Sequence, residues 1–239
     1  MPLHPSIGTP LGALDHAGVR WCLLRGEHEL GHAPAEVDLL VARADQGALR
    51  RALADHGFMP VRAWGRGPHR FFCSAEAGAE HAVKLDVVVE LAFGPHHELP
   101  TSTANAVLAR RRRDGALALP APADAFWALA LHALLDRRGA VRPDQSRRLA
   151  ELAPAAREAG SPLAAVVARA CPPPWTSARI VDAAAAGQWA ELEQLAPRLA
   201  ERWPGSGRAR RAGRVTLSRA LRRVSRRTQS GWGGAVAGC

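Results

Sequence analysis

The chain contains no tyrosine and a single lysine, Lys84, among 32 basic residues. With abundant alanine, this is the residue usage a GC-rich genome tends to produce, so arginine enrichment by itself says little about binding. Cysteine is scarce and dispersed at Cys22, Cys73, Cys171 and Cys239. There is no C-x-x-C pair and no Cys/His spacing that suggests zinc, so the cysteines read as buried thiols and not as a disulfide framework. No stretch approaches the roughly 18 uninterrupted apolar residues of a membrane-spanning helix, and the N-terminus lacks the charged and apolar regions of a signal peptide. The cytoplasm is therefore the expected location. Aromatics make up 5% of the chain, and the seven tryptophans follow no period, which favours core packing over base stacking.

What is present is enough apolar residue for a real core: 47% of 239 residues are hydrophobic and 23% charged. The net charge of +10 is unevenly placed. Acidic and basic residues balance from Met1 to Glu201, whereas from Arg202 onward there are ten arginines and no acid. The basic character belongs to the tail, and the body needs no polyanionic partner to explain it. Residues 202–227 read as a polyanion contact, a contact with an acidic partner or membrane surface, or a linker; the linker is preferred because the glycine-rich end that follows looks like the start of a further element. Val215, Leu217, Leu221 and Val224 approximate one stripe of a basic amphipathic helix over 208–227.

Along the chain, helical spacing from Leu11 to Ala17 stops at Gly18, and Val19 to Leu24 reads as a strand ended by Arg25 and Gly26. Glu36 to Val41 is a second strand, Asp45 is placed to cap a helix ending at Gly57, and extended pieces follow at 58–64, 70–73 and 81–91. The order helix, strand, strand, helix, strand, strand, strand predicts an α+β domain over 1–98, built on one small mixed sheet. Residues 99–119 read as a connector. Helical segments at about 124–135, 144–158, 162–170, 178–186 and 189–202 predict an all-helical domain over 120–203, followed by a basic, flexible tail over 204–239.

The chemistry-bearing residues sit in the first domain. Glu36 and Asp38 are one residue apart on a strand and point to the same side, and Asp86 lies early in a later apolar strand, where a lone buried carboxylate is costly. Patterning alone favours a solvated strand face for Glu36 and Asp38. The Arg25–Gly26 turn, where backbone N–H groups are placed to hold phosphate oxygens, and the position of Asp86 point instead to a three-carboxylate metal cage.

A hydrophobic strand, a glycine turn at Arg25 and Gly26, nine intervening residues, the acid-hydrophobic-acid strand Glu36, Val37, Asp38 and a third acid at Asp86 resemble the DNA polymerase beta-like nucleotidyltransferases. More narrowly, 22–26, 36–41, 49–58, 84–88 and 132–136 look like a bacterial branch in which such a domain precedes a helical region and often a thymidylate kinase-like P-loop domain. Residues 231–237 resemble the approach to that kinase domain, yet G-x-x-x-x-G-K-[ST] occurs nowhere, so a relative lacking the kinase is expected.

The resemblance implies that Glu36, Asp38 and Asp86 hold two Mg²⁺ ions and that Arg25, Gly26 and Lys84 contact the nucleotide. It also implies that a nucleoside monophosphate passes from a nucleoside triphosphate to a hydroxyl acceptor. The chain departs from the family at Glu36, where Asp is usual, and at Arg25, where a small residue is usual. The alternative is a catalytically silent module of the same fold that binds a nucleotide or a protein, and a third reading is nucleic-acid binding through the tail. His132 with Asp136, one helical turn apart, reads as a core pair before a metal site; His96 and His97 read as a solvent-exposed turn. Glu90 shares the Asp86 face but lies too far along the strand.

Overall fold

The computed structural model describes residues 3–32, 36–62, 67–74, 83–137, 140–204 and 212–222. The stretches read from sequence as the turn at 65–68, the start of the 81–91 strand, most of the tail and the glycine-rich end fall wholly or partly outside these residues. The chain forms two compact units: residues 1–90 with 111–119 and 216–239, and residues 91–110 with 120–215.

The first unit is α+β. Helix α1 (Pro5–His16) begins earlier than its spacing suggests, because Pro5 fits the first helical turn and the His4 ring accepts the Ser6 N–H. Strands β1 (Trp21–Leu23) and β2 (Glu36–Val41) are followed by α2 (Gln46–Ala54), β3 (Phe58–Val61), β4 (His69–Ser74) and β5 (Lys84–Val88). Gly57, at φ 78°, supplies the left-handed turn that ends α2. Asp45 does not cap α2 through its side chain. Its carboxylate instead accepts the Arg20 N–H at 2.9 Å and the Arg20 guanidinium at 2.9 and 3.2 Å.

The five strands form one mixed sheet in the order β1-β2-β5-β4-β3. Only β2 and β5 pair in parallel, and the segment between them supplies α2, β3 and β4 as the long connection a parallel pair requires. One face is apolar: Val37, Leu39, Leu85, Val87 and Phe72 are 0–3% exposed. Side chains alternate along each strand, so the residues between them, Glu36, Asp38, Lys84, Asp86 and Phe71, share the opposite face.

The stretch 99–119 is not a bare connector. It contains part of a two-stranded pair, β6 (Ala92–Phe93) with β7 (Leu99–Pro100), then α3 (Ala104–Ala109) and a hairpin of β8 (Arg112–Asp114) and β9 (Leu117–Leu119) turned at Gly115, φ 57°. The hairpin belongs to the first unit, where β9 lies against β1 and Arg113 sits over the Trp21 ring.

In the second unit α4 (Pro122–Leu131) continues as a π-turn through His132–Asp136 and is followed by α5 (Pro143–Glu158), α6 (Pro162–Ala170), α7 (Ser177–Ala185) and α8 (Trp189–Glu201). Its core gathers Phe126, Trp127, Leu131, Leu149, Leu163, Val167 and Leu199, each at most 1% exposed. Trp203, beyond the last helix, is buried; its indole donates to the Pro100 carbonyl at 2.8 Å and meets Phe93 edge-on. The ordered chain of this unit thus runs past Arg202. Residues 212–222 are helical, within the segment read as a basic helix. Cys22 and Cys73 are buried and Cys171 is half-buried. No helix among the described residues is long and apolar enough to cross a membrane.

Candidate metal centre

The parallel pairing of β2 with β5 sets Asp38 directly opposite Asp86 and Glu36 opposite Lys84. Neighbouring strands lie about 4.8 Å apart, so in-register residues with a common facing bring their side chains together. Glu36, Asp38 and Asp86 accordingly offer carboxylate oxygens that all lie within 4.8 Å of one another, the single such group of three potential ligands found among the described residues. Burial deepens along the cluster, from exposed Glu36 through half-buried Asp38 to Asp86, which is 7% exposed.

A basic side chain sits on each acid. Arg25 Nε donates to Asp38 Oδ2 at 2.6 Å. Lys84 Nζ donates to Glu36 Oε1 at 2.9 Å and lies 4.7 Å from the centre of the Phe71 ring. His69 Nδ1 lies 2.7 and 2.9 Å from the two oxygens of Asp86, and its ring stacks on Phe71. The placement of Arg25 follows from the backbone: Leu24 N–H bonds the Asp38 carbonyl at 2.9 Å, and Gly26 at φ 82° turns the chain immediately afterwards. A side chain at residue 26 would be strained by that conformation, so glycine is the fitting residue at the turn.

Of the residues singled out from sequence, the structure brings Glu36, Asp38, Asp86, Arg25 and Lys84 into one cluster, with Gly26 adjoining it. Glu90 lies beyond the end of β5 and pairs with Arg43 at 3.2 Å. His132 and Asp136 form a pair at 2.7 Å in the second unit, and Asp136 also accepts the Gly94 N–H at 2.6 Å, which ties the π-turn to the β6–β7 turn. His96 and His97 sit in that same turn, half-buried. Sequence reasoning missed His69 and Phe71. The β4 segment was visible in outline, but its antiparallel alignment on β5, which pairs Phe71 with Asp86, carries no signal in the local sequence.

Three convergent carboxylates form a hard, all-oxygen donor set, which suits Mg²⁺ or Mn²⁺ over softer ions. The donor chemistry and the mutual distances fit a divalent ion. The clustered cations add the complementary property, positive charge beside the acids that a polyanionic ligand can use. Comparison of the chain with protein-family models, with characterised proteins and with solved structures finds no match in any of the three. The functional reading therefore rests on the geometry of this cluster.

Proposed function

We propose that this protein is a metal-dependent nucleotidyltransferase of the DNA polymerase beta-like type. Such a protein moves a nucleoside monophosphate from a nucleoside triphosphate to a hydroxyl acceptor. The observation that supports this most is the convergence of Glu36, Asp38 and Asp86 across the parallel β2–β5 pair, next to a positive-φ glycine turn. In this reading the three carboxylates hold two Mg²⁺ ions, which when bound supply charge neutralisation at the phosphoryl oxygens. The backbone at Gly26 leaves room for phosphate to approach. Arg25 offers a planar, two-pronged donor and Lys84 a compact point charge to the triphosphate. Asp86, the most buried of the three, orients the acceptor hydroxyl and takes up its proton, with His69 fixing the carboxylate's position. Because phosphoryl transfer depends chiefly on positioning and electrostatics, removal of any one acid is expected to lower turnover by orders of magnitude.

A second reading has an observation of its own. Each acid already has a side-chain partner without a metal, Arg25 on Asp38, Lys84 on Glu36 and His69 on Asp86, as suits a catalytically silent nucleotide- or protein-binding module. Calorimetric titration with a panel of nucleoside triphosphates, with and without Mg²⁺, separates the two. The transferase reading expects binding that requires both Mg²⁺ and intact Asp38 and Asp86; binding that persists in Asp38→Ala or without metal supports the silent module. The acceptor, and any polyanion or protein contact through residues 202–227, belong to the same proposal.

A further inference from the structure

Arg25 and Lys84 do more than stand near the acids: each engages a carboxylate oxygen of the triad. Arg25 lies 2.6 Å from Asp38 Oδ2 and Lys84 2.9 Å from Glu36 Oε1. Their side chains are 37% and 29% exposed, so both reach solvent, and partly exposed pairs of this kind are cheap to open. We infer that Arg25 and Lys84 form an exchangeable latch, pairing with Asp38 and Glu36 in the free protein and transferring to the triphosphate when it binds, so that metal and triphosphate reinforce each other's binding. The inference rests on the reading of the triad as a metal centre and adds an order of dependence within it.

A divalent ion approaching Glu36 and Asp38 alone meets two positive charges already installed, and the carboxylates it needs are engaged. A triphosphate alone meets the reverse situation, two cations whose charge is spent on acids and a third acid, Asp86, close by. When both arrive, each frees the groups the other requires: the metal takes the carboxylates, and the guanidinium and ammonium take phosphate oxygens, for which a fork donor and a point charge are well suited. Coupling of this kind is reciprocal, so the factor by which triphosphate tightens metal equals the factor by which metal tightens triphosphate. The Glu36 and Arg25 positions, where the chain departs from the family it resembles, are then two halves of one device. The longer Glu36 side chain lies opposite Lys84 in register, and Arg25, one residue past the Leu24 that bonds the Asp38 carbonyl, reaches the Asp38 carboxylate through its side chain.

The test uses the full chain and two probes that need no knowledge of the base or the acceptor. Mn²⁺ alone is followed by loss of the free-ion electron paramagnetic resonance signal, and inorganic tripolyphosphate with Mg²⁺ is followed by calorimetry. In the double variant Arg25→Gln with Lys84→Met, the latch requires Mn²⁺ alone to bind about tenfold tighter or better than in the wild type, and Mg²⁺-tripolyphosphate about tenfold weaker or worse. Each single variant moves both quantities in the same opposed directions, which keeps the test open should the double variant not fold. Equal Mn²⁺ affinity in wild type and variants, or unchanged tripolyphosphate affinity, overturns the latch and leaves the metal centre standing. Mn²⁺ binding that is absent throughout, or that survives Asp38→Ala undiminished, removes the centre itself and the latch with it.

Discussion

At the residue scale, Asp15 shows how much one side chain can hold together. Its carboxylate accepts the Trp21 indole N–H at 2.8 Å and two Arg113 N–H groups at 2.8 and 2.6 Å, joining α1, β1 and the β8–β9 hairpin. Burial pushes its carboxyl upward, but the hydrogen bonds from Arg113 and Trp21 and the charges of Arg113 and Arg111 outweigh that and hold it below the ordinary value. Asp45 is held low as well, first by its hydrogen bond from Arg20. A depressed carboxyl contributes stability that is fully present above the unfolded value of about 3.9 and is lost as pH falls through the folded value. Urea midpoints measured from pH 6 down to pH 2 are expected to fall steeply below about pH 4 in the wild type and less so in Asp15→Asn. Asp15→Ala strands the indole N–H of Trp21, 1% exposed, and is expected to cost about 1 to 2 kcal/mol at pH 7 by the same measurement.

At the scale of elements, α4 carries a carboxylate, Asp124, that is fully buried and pairs with Arg110 Nε at 3.0 Å, while Arg110 is 41% exposed and also donates to the Gly160 carbonyl. The two partners are therefore not equivalent. Arg110→Met leaves a charge in the interior and is expected to cost about 3 kcal/mol or more, whereas Asp124→Asn leaves a guanidinium that reaches water and costs about 1 to 2 kcal/mol. Equal losses in thermal unfolding would contradict that asymmetry. Trp203→Ala is expected to cost about 3 kcal/mol, because the ring fills a buried site against Phe93 at the very end of the helical domain.

These elements also show what local sequence carries. Strand β2 is legible to the residue because alternation, flanking glycine and proline, and length agree, and α6 is legible because Ser161, Pro162 and an apolar face mark it. The β8–β9 hairpin was not: Arg112 to Asp114 is wholly exposed, so no alternation betrays a strand that exists by pairing with Leu117–Leu119. Asp45 stands at the N-cap position of α2, as the sequence indicates, but its carboxylate is taken by Arg20, 25 residues away, which local sequence does not show. The acids of the site were visible as a pattern, but His69 and Phe71 join them only through strand order, which is a property of the whole sheet.

For the whole molecule, the division of charge separates the candidate site from the tail. The body is balanced and the last 38 residues hold ten arginines without an acid. Removing residues 223–239, which takes away Arg223, Arg226 and Arg227, is expected to leave Mg²⁺-dependent triphosphate binding within about a factor of two. Any RNA binding, by contrast, should lose part of its salt dependence, about one unit of slope per lost phosphate contact. Filter binding across a salt series reads both. The central claim, that Glu36, Asp38 and Asp86 jointly hold the metal that receives a nucleoside triphosphate, is tested most directly by an anomalous difference map from crystals grown with Mn²⁺ and a non-hydrolysable triphosphate. Mn²⁺ is expected between the three carboxylates, with Arg25 and Lys84 turned onto phosphate oxygens. A bound triphosphate with no metal among the carboxylates, each acid still on its own basic partner, would contradict it.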